Sequence, residues 1–254
     1  MVGDEPALLL LLGIILMLSA GIGSMLLIKR LRLVERGDGI STRISVVAFV
    51  YGTMLAFCVM ASWQQFTAAQ VVVADEASTL GTLYRQTVVV PEPEQTQLKK
   101  LLRKYRSEVV DIEWPKYLGG DAASGRDTIS DMYRVIGNQP ASDASNLARP
   151  GFLAQLGQLA GKRDMRVIRA KARVAPLLMM ALVFGGLVLM VLMSFVRLES
   201  LALHSIVSGA IAILLSLMLY LVYLLNHSFS VDHGITAEPF QRSLAVFDAV
   251  DRGA

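Results

Sequence analysis

Charge and cysteine are both scarce in this chain. Of its 254 residues only 18% are charged, whereas 54% are hydrophobic, and the single cysteine is Cys58. One cysteine excludes an internal disulfide and a thiolate metal site built within one chain. The formal net charge of +3 is too small to indicate a nucleic-acid partner. Since a soluble domain of this size normally carries more charge, the composition predicts a membrane protein.

Catalytic and cofactor signatures are missing as well. The chain has no phosphate-binding glycine loop, no HExxH pair and no credible serine or cysteine triad. His204 and His227 flank one apolar run, and neither has a carboxylate or a second histidine spaced to share a metal ion. The acidic residues of the polar segments show no pairing at a pocket spacing. We therefore expect no enzymatic activity, cofactor or metal site.

Four apolar runs are long enough to cross a bilayer as helices, which takes ~20 residues. The predicted spans are residues 7–28, 44–62, 174–196 and 201–225. None has Asp, Glu, Lys or Arg in its apolar core, although proton pumps and most ion-coupled transporters need such groups. The first run lacks a basic start and a cleavage site, so it is predicted to be a retained span and not a signal peptide.

The polar remainder is predicted to be helical. Residues 63–173 would form an extramembrane domain, in which residues 94–114 repeat apolar side chains at the spacing of one amphipathic helix. Residues 147–173 are expected to form a long helix that continues directly into the third span. The tail, residues 226–254, includes a short amphipathic helix. The predicted fold is an all-α integral membrane protein with four transmembrane helices and a helical extramembrane domain between spans two and three.

The second span carries a stripe of small residues at steps of three and four: Ser45, Ala48, Gly52 and Ala56. Such stripes let helix backbones approach closely in lipid. Two interpretations stay open, namely packing within one subunit, or a face that meets other subunits or lines a pore. Leu55 is expected to face lipid. Trp63 and Phe66 follow the span, where aromatic side chains mark the boundary between lipid and water.

A second patterned segment lies before the third span, where basic residues share one helical face: Lys162, Arg166, Arg169 and Arg173. One interpretation is a basic collar that contacts anionic lipid headgroups. The other is a positive ring that concentrates anions in a symmetric oligomer. The even number of spans puts both termini on one side of the membrane. The basic residues near the span ends conflict on which side that is, and the short basic connector at residues 29–43 slightly favours a cytoplasmic position for itself and an external helical domain.

Several short motifs occur in an order that resembles the bacterial bestrophin-like integral membrane family, over about residues 44–250. They are Tyr51–Gly52, the WQQF exit from Trp63 to Phe66, Glu76, Glu113–Trp114–Pro115, Leu203–His204 and the run from Ala237 to Phe240. The resemblance implies a homo-oligomer of four-span subunits in the bacterial inner membrane. By analogy to bestrophins it also implies an anion-conducting channel. Gln64 departs from the family pattern, which has an acidic residue there.

By position, the resemblance points to a pore face near Gly52, Ala56, Val59 and Trp63. Together with the stripe and the exit of the span, the predicted pore or oligomer face comprises Ser45, Ala48, Gly52, Ala56, Val59, Trp63 and Phe66. It also implies a cytoplasmic helical domain, opposite to the orientation favoured by the connector. The tail lacks the acidic cluster of the bestrophin calcium clasp, so calcium gating is not expected. The alternative function is a non-conducting membrane scaffold or sensor whose helical domain binds a partner protein.

Overall fold

The structure, a computed structural model, describes residues 5–31, 39–116, 124–138, 143–196, 200–229 and 234–253. Among these residues there are helices and no strands, as the sequence predicts. The helices are α1 (Glu5–Leu31), α2 (Gly39–Gln86), α3 (Glu94–Ser107), α4 (Trp114–Lys116), α5 (Ser124–Gly137), α6 (Asp143–Lys171), α7 (Pro176–Met193), α8 (Leu201–Asn226) and α9 (Glu238–Asp251). A 3-10 turn, Thr87–Val89, follows α2, and a π-helical segment, Glu108–Glu113, joins α3 to α4.

Four stretches each contain a helical segment long and apolar enough to cross a membrane: Leu8–Ile28, Ser41–Val89, Arg149–Met193 and Ala202–Asn226. The chain divides into two compact units. The first, here called the membrane unit, comprises Met1–Gln65 and Arg173–His227, and the second, the helical domain, comprises Phe66–Ala172 and Ser228–Ala254. Helix α2 begins in the membrane unit and ends in the helical domain.

The membrane unit is centred on an apolar cluster from α1, α2, α7 and α8 that includes Met17, Tyr51, Leu55 and Leu182. The hydroxyl of Tyr51 donates a hydrogen bond to the carbonyl oxygen of Leu182 at 2.9 Å, so this polar group has a partner inside the unit. The ring of Tyr51 lies 2.8 Å from the position that a Cβ at residue 185 would take. Only glycine, which has no Cβ, allows the ring to come this close. The expectation that Leu55 faces lipid was wrong, because it lies on the packed face of α2 together with Tyr51.

The helical domain has its own core, to which α2, α3, α5, α6 and α9 contribute. In the second half of α2 the inward positions recur at helical spacing, with Val73, Leu80 and Leu83 fully buried. Helix α9 covers this core with Phe240 and Phe247, which are also fully buried. Apolar burial thus brings the end of the chain onto the helix that leaves the membrane unit.

Two helices differ from the sequence expectation. Residues 94–114 do not form one α-helix, because α3 ends at Ser107 and the backbone continues as a π-helical segment. Nor does the long helix run unbroken into the third span, since α6 ends at Lys171 and α7 begins at Pro176. Ala175 is extended, with a ψ of 131°, because proline disfavours the helical conformation in the residue before it.

Candidate functional site

A buried ion network lies at the centre of the helical domain. Helix α2 supplies Glu76, which occupies an inward position of an otherwise apolar stripe, and α6 supplies Arg166. Both side chains have no solvent-exposed surface. Arg166 Nε lies 2.6 Å from Glu76 Oε2, and Arg166 Nη2 lies 3.1 Å from Glu76 Oε1. This two-pronged geometry is the strongest arrangement available to an arginine and a carboxylate.

The π-helical segment brings a second carboxylate, Glu113, to the same arginine. Arg166 Nη2 donates to Glu113 Oε2 at 2.7 Å, and Arg163 Nη2 donates to Glu113 Oε1 at 2.8 Å. The backbone N–H of Gly125, at the start of α5, also donates to Glu113 Oε1 at 3.1 Å. A Cβ at Gly125 would lie 2.9 Å from this oxygen, so glycine permits the close approach. π-helical turns are frequent at functional positions, and this one directs Glu113 inward.

The network is electrically balanced, with two carboxylates facing two guanidinium groups. Burial by itself raises the pKa of Glu113, but Arg166 and Arg163 outweigh this effect and leave the pKa below its ordinary value. Burial likewise lowers the pKa of Arg166, yet the carboxylate of Glu76 outweighs it, so the pKa of Arg166 lies above its ordinary value. Glu113 and Arg166 are therefore charged at neutral pH. A charge-balanced, hydrogen-bonded set is the form in which buried charges are tolerated.

Polar and aromatic side chains complete the surroundings of the network. The hydroxyl of Tyr105 donates to Glu76 Oε1 at 2.6 Å, and burial beside this carboxylate raises the pKa of Tyr105 well above its ordinary value. The guanidinium carbon of Arg166 lies 5.9 Å from the ring centre of Trp114 and 5.8 Å from that of Phe240. Cation–π contacts of this kind favour the charged form of arginine in a place without water.

The chemistry open to this network is structural. Its charged groups are sealed from solvent and engaged with one another, which leaves no group poised to move a proton to or from a substrate. The described part of the chain also has no group of three or more His, Cys, Asp or Glu side chains able to hold a metal ion. The network joins α2, the π-helical segment, α5 and α6, and so fixes how the helix that continues from the membrane unit is held in the helical domain.

A second polar cluster attaches α9 to the outside of the same domain. Arg103 Nη2 lies 2.9 Å from an oxygen of Asp248 and 2.9 Å from an oxygen of Asp251. The hydroxyl of Tyr84 donates to Asp251 at 2.7 Å, and the Tyr84 ring stacks on Phe247 with 4.0 Å between ring centres. Although slight burial raises the pKa of Asp251, the hydrogen bonds from Lys99 and Arg103 dominate and hold this pKa below its usual range.

The residues of the predicted pore or oligomer face are distributed along one side of α2. Ser45, Gly52 and Ala56 are exposed in the single chain, and no atom lies within 4 Å of the position of a Cβ at Gly52. Ala48 and Val59 are half-buried against the core of the membrane unit. Trp63 is 57% exposed, whereas Phe66 packs against the core of the helical domain. The small-residue stripe is therefore mostly available to a neighbour outside the subunit.

The predicted basic collar is only partly a surface feature. Arg166 is fully buried in the ion network, so its assignment to a headgroup-facing collar was wrong. It sits on the inner side of α6 because Glu76 and Glu113 compensate its charge there. The ammonium nitrogen of Lys162 lies 3.7 Å from a carboxylate oxygen of Asp75, and its side chain stays partly exposed. Arg169 is half-buried, and Arg173 is exposed. For Lys162, Arg169 and Arg173 the contact with headgroups stays a prediction.

Sequence reasoning missed that Glu76 and Glu113, which are 37 positions apart in the chain, both bind Arg166. One signal was present, because Glu76 interrupts the apolar stripe of α2 between Val73 and Leu80. A carboxylate on such a stripe requires a buried cation. The matching arginine could not be chosen by its spacing, since Arg163 and Arg166 look like members of a solvated basic face.

The fold and this interior define the class of protein: an all-α membrane protein with four spans and a helical domain that encloses a buried ion network. The family model of the bestrophin-like domain matches residues 11–240. The chain therefore belongs to the bestrophin-like family, which confirms the resemblance seen in the sequence. No curated protein sequence matches the chain.

Solved structures show the same fold at low identity. A crystal structure of a variant of a bacterial bestrophin homologue from Klebsiella pneumoniae is 16% identical, with a TM-score of 0.69 over 97% of this chain and 99% of that chain. Another structure of a bestrophin homologue from the same organism, solved by zinc phasing, is also 16% identical, with a TM-score of 0.65 over 95% and 98% of the two chains. The similarity extends over essentially the whole chain and concerns the fold.

Proposed function

We propose that this protein assembles into a homo-oligomeric ion channel of the bacterial inner membrane, that the membrane half of α2 lines its pore, and that anions are the permeant ions. The family supports the assembly, and one structural observation carries the assignment of α2. The exposed small residues Ser45, Gly52 and Ala56 form a side of α2 that the subunit itself does not cover.

Helix α2 has three distinct sides, which supports this role. Ile44, Tyr51 and Leu55 pack inward against the membrane unit. A second side carries strongly exposed apolar residues such as Val46, Val50 and Phe57, as a lipid-facing surface does. The small-residue side lies between these two. Small side chains at this place allow neighbouring copies of α2 to approach one another around an axis, or leave room for a permeation path.

The membrane half of α2 carries no charge of either sign, so the proposal of anions as the permeant ions rests on the bestrophin-like family. No charged residue lies between Arg43 and Asp75. Cation-selective pores commonly carry rings of Asp or Glu, and the membrane half of α2 can supply no such ring.

A separate proposal concerns the basic residues that remain at least partly exposed. We propose that anionic lipid headgroups contact Lys162, Arg169 and Arg173.

The test is to reconstitute the purified chain in planar bilayers and record currents under a potassium chloride gradient. Anion conduction moves the reversal potential toward the chloride equilibrium potential. A cysteine in place of Ala56 should react with a charged, water-soluble methanethiosulfonate reagent and change the conductance, whereas Phe57→Cys on the lipid-facing side should not. Native Cys58 is buried and serves as the background. Absence of current above that of protein-free bilayers would favour the non-conducting scaffold or sensor instead.

A further inference from the structure

The membrane unit contains a cavity of about 80 Å³ between α1, α7 and α8. Its lining includes Gly21, Met25, Met190, His204, Ser208 and Gly209. Ile22 and Ser205 also line the cavity and are exposed, so the cavity opens onto the surface of the membrane unit. It is separate from the exposed side of α2 to which conduction is assigned above.

One polar side chain in this cavity stands out. His204 is only 8% exposed, and its ring has no hydrogen-bond partner among the described residues of the chain. Its backbone N–H is engaged in the first turn of α8, with the carbonyl oxygen of Ser200 at 3.0 Å. The ring nitrogens themselves are not sealed inside the subunit, so a group that enters the cavity can form the hydrogen bond that no described residue supplies.

The position of His204 along the membrane helix narrows the choice of partner. It is the fourth residue of α8, and so lies ~5 Å along the axis from the start of that helix. This depth corresponds to the region in which phospholipids carry their ester groups, just inside the headgroups. An ester carbonyl accepts the one hydrogen bond that a neutral imidazole donates. The apolar remainder of the cavity, formed by Ile22, Met25 and Met190, suits methylene groups.

We propose that this cavity binds the upper part of one acyl chain of an ester-linked phospholipid, with the ester carbonyl on His204. The cavity of about 80 Å³ has roughly half the ~150 Å³ that accepts benzene, so it has room for only a few methylene groups of a chain. The cavity volume is also larger than the ~30 Å³ that one water molecule occupies in the liquid. The lipid would occupy a defined site between α1 and α8, distinct from lipid that merely surrounds the protein.

The experiment uses the full chain in vesicles that contain a phosphatidylethanolamine with a diazirine in the upper third of one acyl chain. After illumination, mass spectrometry of peptides maps the adducts. We expect them to concentrate on the parts of α1 and α8 that line the cavity. Gly209→Leu places a side chain in the cavity from a position with no atom within 4 Å, and labelling there should fall at least fivefold.

Gly23→Leu is the matched control, because Gly23 is exposed, also has no atom within 4 Å of its Cβ position and does not line the cavity. Its labelling should stay within about twofold of the unmodified chain. Labelling spread evenly over the lipid-facing helices, and equal in both variants, would mean surrounding lipid only and would overturn the proposal.

A second arm tests His204 without depending on the Gly209 variant. Unlabelled ester-linked phosphatidylethanolamine should compete with the probe about three- to tenfold better than its ether-linked analogue, which lacks the carbonyl. His204→Leu should abolish this preference, and His204→Gln, which keeps an N–H donor, should retain part of it. Equal competition by the two lipids in the unmodified chain would refute the role of His204.

Discussion

Replacing Arg166 by methionine is the sharpest test of the ion network, because Arg166 donates three hydrogen bonds to two carboxylates. Without it, Glu113 keeps Arg163 and the N–H of Gly125. Glu76 keeps only the hydroxyl of Tyr105 among its described partners. The variant thus leaves one buried carboxylate without a compensating charge, and removal of one partner from a buried pair costs ~3–5 kcal/mol.

This loss is a large share of the ~5–15 kcal/mol by which a folded domain is stable. In a domain of this size it corresponds to a fall of roughly 10 °C in unfolding temperature. The assay heats the full chain in mild detergent at a fixed scan rate and follows tryptophan fluorescence. Trp114 reports directly, because the guanidinium of Arg166 lies 5.9 Å from its ring centre. A fixed scan rate is needed since membrane proteins unfold irreversibly on heating.

The double variant Arg166→Met, Glu76→Gln separates charge from packing. It removes one cation and one anion, leaves Glu113 paired with Arg163, and should recover about half of the lost temperature or more. Arg169→Met, on the same helix but outside the network, should change the midpoint by less than about 2 °C. The reasoning fails if Arg166→Met also stays within about 2 °C, or if Glu76→Gln lowers the midpoint further in the Arg166→Met background.

Acid should weaken the helical domain through Glu113, whose pKa in the folded chain lies below its ordinary value of 4.5. Its stabilising contribution is present above that value and is lost as the pH falls through the folded pKa, so the unfolding temperature should drop below about pH 4.5 and Glu113→Gln should flatten the drop. Gly52→Leu should shift native mass spectra in mild detergent toward fewer subunits, at a cost of ~1–3 kcal/mol per interface, and an effect equal to that of Gly23→Leu would remove the assembly role of the stripe. Arg103→Ala should loosen α9 by about 1 kcal/mol or less, since its ion pairs are partly exposed, and limited proteolysis of the tail should be severalfold faster; an unchanged rate would mean that apolar packing alone holds the helix. The basic connector favours an external helical domain, so Ser130→Cys in α5 should be labelled by an impermeant thiol reagent in intact cells, and protection would instead support the cytoplasmic domain that the family resemblance implies.

The amino-acid sequence by itself determined the class of this protein. Long uncharged runs can satisfy their backbone hydrogen bonds in lipid only as helices or closed barrels, and runs of about 20 residues have the length of helices. The four spans follow from this local property, which does not depend on the rest of the chain. Motifs such as Tyr51–Gly52 and Glu113–Trp114–Pro115 were enough to identify the family, because their order along the chain is itself a linear feature.

Only the tertiary structure decided which charges are buried and which face of α2 is free. Arg166 and Arg169 belong to the same basic segment, but one is fully buried and the other is not, because carboxylates from α2 and the π-helical segment lie opposite one of them. Leu55 faces inward for a comparable reason, since it belongs to one buried cluster with side chains of α7 and α8. Whether a side chain is buried depends on residues that are distant in the chain. The spacing of residues within a helix shows which of them share a face, but it does not show which other helix packs against that face.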